Sequence, residues 1–164
     1  MTMRDGQLGV TLLVKDVRAA ARFYTQALGA RELHRHTLPA TPDQPGVVPI
    51  AVEMRIGDIP LTVCAEGPDW PRAAQTAGTA SVFLTLYVDD VDGAMTRALA
   101  AGATAPTDQA PLQDTHWGGR VGQFVDPAGH TWRMQTAKDE AGHADLPGRL
   151  EALRAQRGAR TPRR

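Results

Sequence analysis

The sequence has one cysteine, no apolar run long enough to cross a bilayer and no excess of charge of either sign. Each lack removes a class of protein. Cys64 has no partner for an intramolecular disulfide, and within the alternating run IPLTVCAE it reads as a small, half-buried strand residue. A reactive thiol would want a helix N-terminus or a neighbouring base. The balance of 18 basic and 18 acidic side chains provides no global field to draw in nucleic acid or an anionic membrane. No pattern of interleaved aromatic and basic residues suggests a nucleic-acid surface either. The apolar part of the opening MTMRDGQLGVTLLV is too short for a secretory core or a membrane span, so the expected compartment is the cytoplasm. A P-loop, a dinucleotide-binding glycine pattern and a nucleophile elbow are all missing. DDVDG (89–93) has neither the alternate spacing nor the terminal Glu of a calcium loop, and helix capping accounts for it better.

What is present is a repeat. Sliding the chain by 74 positions aligns TLLVKDVRAA (11–20) with TLYVDDVDGA (85–94). Each copy is a β-branched or aliphatic run, an Asp suited to capping a helix, and a helical pattern closed by Gly-Ala. The first helix is followed by three strand-like runs, RELHRHTL, VPIAVEMRIG and IPLTVCAE, with Gly57-Asp58 as a turn before the last. The second is followed by a short run near 103–107, a long loop, then GRVGQFVD and HTWRMQT around the turn DPAG. The order strand, helix, three strands thus occurs twice.

At 164 residues the chain fits one domain or two small modules sharing a core. The organisation read here is a first module over 1–66, a linker over 67–80 rich in Pro, Ala and Gly, a second module over 81–138 and a tail over 139–164. In the tail, LPGRLEALRAQ can form a short amphipathic helix on Leu146, Leu150 and Leu153, and the basic RGARTPRR has nothing to bury.

The repeat, together with VKDVRAAARFYTQALGA and VDPAGHTW, resembles the vicinal oxygen chelate superfamily, the glyoxalase, bleomycin-resistance and dioxygenase fold. The stretch LYVDDVDGAMTRALAAGAT, with HWGGRVGQFVDPAGHTW, is similar to its PhnB-like branch. The resemblance implies an α+β fold of two βαβββ modules, their sheets forming open, barrel-like halves around a central cavity with the helices outside. It also implies that a homodimer completes the cavity.

Metal-dependent members place His, Glu or Gln ligands on the first and last strand of each module. Carried onto this chain, those positions are Gly9, Phe83, Thr62 and Arg133. Glycine offers no ligand atom, Phe is apolar, neutral Thr is a poor ligand, and protonated Arg repels a cation. No metal and no cofactor are therefore expected. A displaced site on His34, His36 and Glu53 is the alternative for a metalloenzyme.

Strand alternation turns Val52, Met54 and Ile56 towards the helix and Ala51, Glu53 and Arg55 towards the cavity. The expected ligand-binding set is Thr11, His36, Glu53, Arg55, Phe83, Thr85, Tyr87, Trp117, Arg133 and Gln135. Arg133 would clamp a carboxylate, a phosphonate or a polarised carbonyl, or else form an internal ion pair with Glu53. Trp117 would either pack as a rim residue against the sheet edge or act as a flat lid, with His116 beside it as a further acid–base group. Trp132 and Met134 are assigned to the core, and His130 to a structural role after the turn.

Beside a glyoxalase-type metalloenzyme with that displaced site, ranked last, two functions stand as alternatives. One is a metal-independent protein that binds and sequesters a small molecule such as an antibiotic or another secondary metabolite. The other is a metal-free isomerase, lyase or cyclase in which Glu53 or His36 is the base and Arg133 the oxyanion partner. The partners expected are a small-molecule ligand and a second copy of the chain, with no nucleic acid and no membrane.

Overall fold

The alternation seen in the sequence becomes two sheets with one face packed and one face open. In the computed structural model the described residues are 6, 8–40, 46–67, 73–74, 82–107, 111–115, 119–136, 148, 151–152 and 155. The tail helix expected around Leu146, Leu150 and Leu153 lies outside them, as do His116 and Trp117.

The first module is β1 (Val10–Val14), α1 (Val17–Leu28), β2 (Arg31–Leu38), β3 (Val48–Ile56) and β4 (Ile59–Ala65). The second is β5 (Leu84–Tyr87), α2 (Val91–Ala100), β6 (Leu112–Asp114), β7 (Arg120–Val125) and β8 (Thr131–Gln135). Strand orders are β1-β4-β3-β2 and β5-β8-β7-β6, with the first pair of each sheet parallel and the rest antiparallel. This is an α+β architecture of two open sheets, not a closed barrel.

Both helices start where an Asp satisfies an otherwise orphaned backbone donor. Asp16 Oδ1 accepts from the Ala19 N–H and Asp90 Oδ1 from the Gly93 N–H, each at 2.9 Å. Helix α1 stops at Gly29, whose φ of 66° is the left-handed conformation that glycine adopts without a Cβ penalty. The strand expected near 103–107 does not form. Thr104 makes only an isolated bridge to Val125, and the fourth strand of the second sheet lies further on, at Leu112–Asp114. Pro106 has no N–H for a ladder, which disfavours the earlier stretch.

Leu12, Val14, Val52, Met54, Leu61 and Val63 are buried against α1, while Phe124, Trp132 and Met134 are buried with Met95 and Ala98 of α2. Full burial of such a side chain contributes roughly 1.5–3 kcal/mol. Gly122 of β7 lies so close to α2 that a Cβ there would come within 2.4 Å of Met95 Cγ.

The packed sides of the two modules form one continuous core, and α1 touches α2. Phe23 meets Phe124 edge-on with ring centroids 6.2 Å apart, and Tyr24 lies 5.7 Å from Trp132. The Tyr24 hydroxyl donates to Asp126 Oδ2 at 2.7 Å, and Trp132 Nε1 donates to the same oxygen at 2.8 Å. Asp126 Oδ1 accepts the backbone N–H groups of Ala128 and His130, both at 2.9 Å. Within one chain, therefore, the modules meet through their helix sides, and the opposite faces of the sheets carry exposed residues such as Thr11, Phe83, Thr85 and Tyr87.

Candidate functional site

On the first sheet, register sets a row of side chains across the open face. Thr11 pairs with Thr62, Thr62 with Glu53, and Glu53 with His34. Register shifts on either side of the β2 histidines keep His34 and His36 on this face, where their rings lie edge to face at 4.5 Å. His36 Nε2 lies 3.1 Å from Glu53 Oε1, and Glu53 is half-buried. Arg55 shares the face two residues on, and its cross-strand partner is a second arginine, Arg31.

The second sheet repeats the row with different chemistry. Thr85 pairs with Arg133 and Arg133 with Gln123, so Arg133 occupies in this module the place of Thr62 in the first. That register supports equating Thr62 with Arg133 as last-strand positions. The Arg133 guanidinium carbon sits over the Phe83 ring, 5.1 Å from its centroid, a cation–π arrangement worth roughly 0.5–2 kcal/mol. Tyr87 is exposed further along β5, whereas Gln135, expected to line the face, is buried at 4 % exposure.

Two arginines stand out by what they lack. Among the described residues, the Nε atoms of Arg55 and Arg133 are the buried side-chain polar atoms without a hydrogen-bond partner. Such a group costs roughly 1–3 kcal/mol when left unmade, and each lies on the open face of one module. The Arg133–Glu53 pair expected as the internal use of these charges is not formed. His36 neighbours Glu53, and Arg133 lies on Phe83.

The four positions that the sequence resemblance matches to metal-ligand positions carry side chains poorly suited to holding a cation. Gly9 and Phe83 bring no donor atom, Thr62 brings a neutral hydroxyl, and Arg133 brings a cation. No group of three His, Cys, Asp or Glu among the described residues is placed to hold an ion, His34, His36 and Glu53 included.

Cys64 faces the same side as Leu13 and Ala51, and burial pushes its thiol above the usual range, away from thiolate reactivity. At the junction between modules, burial raises and the Asp126 charge further raises the Tyr24 phenol. Burial alone would raise Asp126, but hydrogen bonds from His130 and Tyr24 outweigh it and hold the carboxyl below its ordinary value. Strand and helix periodicity do not mark Asp126; its place in VDPAGHTW, with Trp132 six residues on, is the signal the sequence carries.

The family model of the Glyoxalase/Bleomycin resistance protein/Dioxygenase superfamily matches residues 7–134, and the chain belongs to that superfamily. An uncharacterized protein of Mycobacterium bovis is 34% identical over 127 residues, covering 75% of this chain and 78% of that protein. Among solved structures, TioX from Micromonospora sp. ML1 is similar with a TM-score of 0.58 at 25% identity, covering 80% of this chain and 98% of that one. The fosfomycin resistance protein FosX from Mesorhizobium loti shares the fold with a TM-score of 0.55 at 20% identity, over 83% of this chain and 95% of that one. No helix of the described residues is long and apolar enough to cross a membrane.

Proposed function

We propose that this chain is a metal-independent small-molecule binding protein of the glyoxalase and bleomycin-resistance type, in its PhnB-like branch, that sequesters an antibiotic or another secondary metabolite. One observation carries the reading. Two positions that hold metal ligands in related folds are Phe83 and Arg133, and they are stacked on each other with the Arg133 Nε short of an acceptor. A carboxylate, phosphonate or polarised carbonyl would meet a guanidinium already oriented by an aromatic surface, so little ordering is left to be done on binding.

A homodimer completes the site. The helix sides of the modules are used up against each other inside one chain, and the open faces expose Phe83 at 52% and Tyr87 at 59%. Apposing the first module's row of one copy to the second module's row of the other would enclose Thr11, Glu53, Arg55, Thr85 and Arg133 in one cavity.

The test is native mass spectrometry beside elemental analysis of untagged protein taken directly from cells. Under about one-tenth equivalent of any transition metal, a dimer mass and a co-purified organic mass lost in Arg133→Gln are expected; near-stoichiometric metal would overturn the reading.

A second reading has its own support in the contact between His36 and Glu53 at 3.1 Å. There Glu53 or His36 acts as general base and Arg133 stabilises an oxyanion in a metal-free isomerase, lyase or cyclase. Turnover of a bound compound, abolished in Glu53→Gln while binding persists, would select it; binding with no chemistry would sink it.

A further inference from the structure

Helix α1 also has a side turned away from both open faces, and it borders a groove of about 400 Å³. Arg18, Arg22 and Gln26 of α1 form one wall, Glu32 and Arg35 of β2 the other, and Ala21 the floor. Glu32 and Arg35 are there because of the register shift in β2. They pair with Met54 and Val52, which are buried on the helix side, while His34 and His36 turn to the open face.

The charges in this groove are arranged against local preference. Arg18 lies in the first turn of α1, which contains no acidic residue, so a cation sits at the positive end of the helix dipole. Arg22 follows one turn later on the same side, a like-charge spacing that repels. Three guanidinium groups face a single carboxylate, in a chain whose overall charge is balanced. Two of the three are held in place. Arg18 Nη2 donates to the Val47 carbonyl at 2.7 Å, and Arg35 makes a two-point bond with Glu32 at 2.8 and 2.5 Å. Arg22 has no hydrogen bond or ion pair with any described residue. The result is an open cationic groove with two of its guanidinium groups held and one fork uncommitted among the described residues.

We propose that this groove binds a small polyanion, a phosphorylated or polycarboxylated metabolite, at a site separate from the Arg133 face. At least two negative charges are required to balance three arginines against Glu32. Arg22 would supply the two-point contact, and the Arg18 end would add the field of the α1 N-terminus.

Calorimetric titration of the full chain with pyrophosphate and with citrate, at matched ionic strength and with acetate as the monoanion control, tests this. Saturable binding of one polyanion per chain is expected, with acetate inert. Arg22→Gln, a change at an exposed side chain, should weaken it at least about five-fold, and Arg18→Gln should do likewise. Arg133→Gln should leave it unchanged. Pyrophosphate binding alone would assign the site to phosphoryl groups, and citrate binding alone to carboxylates. Heat that never saturates, equal affinity in Arg22→Gln, or loss of binding in Arg133→Gln would each overturn the proposal, the last by placing the anion on the open face.

Discussion

The junction between the two modules and the open faces of their sheets treat polar groups in opposite ways. At the junction, the Asp126 carboxylate is fully enclosed and its oxygens accept four hydrogen bonds, two from backbone and two from the side chains of Tyr24 and Trp132. On the open faces, the Nε atoms of Arg55 and Arg133 have no acceptor among the described residues, and Arg31 and Arg55 oppose each other across a strand pair. One region has every demand met by its own chain, and the other leaves demands for something else to meet. On the function proposed above, stability resides in the first and recognition in the second, a division that can be tested by removing polar groups from each.

The largest effect belongs to Asp126→Ala. It strands the Tyr24 hydroxyl, the Trp132 indole N–H and two backbone N–H groups inside the core, and a loss of about 3–5 kcal/mol is expected in denaturant unfolding. A change under 1 kcal/mol would mean that the junction is wetter or looser than its geometry indicates. Next is Tyr24→Phe, which keeps the ring packed on Trp132 but removes one donor to Asp126, at a cost of about 1–2 kcal/mol.

The same pair predicts a pH profile with two limbs. Asp126 has a depressed folded-state pKa, so its contribution is complete above the unfolded carboxylate value of about 3.9 and is lost as pH falls below it. The Tyr24 phenol is raised, so its contribution is complete below about pH 10 and declines as pH climbs beyond that, where the unfolded phenol ionises first. Unfolding free energy measured from pH 2 to 11 should show both limbs. The alkaline limb should flatten in Tyr24→Phe, and its persistence there would assign it to other groups.

Much of the junction was legible beforehand and its polar centre was not. Alternation alone put Val52, Met54, Trp132 and Met134 in the core, because period-two burial follows from strand geometry. The caps at Asp16 and Asp90 followed from Asp standing before a helical pattern. The bond from Tyr24 to Asp126 spans 102 residues and depends on how two modules dock, which no local pattern encodes. The bulges in β2 were equally hidden, and they decide that Glu32 and Arg35 line the α1 groove while the two histidines face the other way. The stacking of Arg133 on Phe83 could be placed by position, since both were assigned to the open face, but not as a contact between them.

The smallest effects, with the opposite sign, are expected on the open faces. Arg31→Thr removes one of two like charges held directly across a strand pair, so stability should rise by about 0.2–1 kcal/mol at low salt. The gain should shrink as ionic strength increases, because the repulsion is exposed at Arg31 and screened within about 10 Å at 0.1 M salt. Arg133→Gln removes a cation–π contact worth a few tenths to about 2 kcal/mol, together with an unmade hydrogen bond of comparable cost, so the two should nearly cancel within about 0.5 kcal/mol. Paired thermal melts of wild type, Arg31→Thr and Arg133→Gln in salt-free and salt-containing buffer measure both. A loss of 2 kcal/mol or more in either variant would show that the open-face arginines hold the fold together, and the division between the two regions would fail.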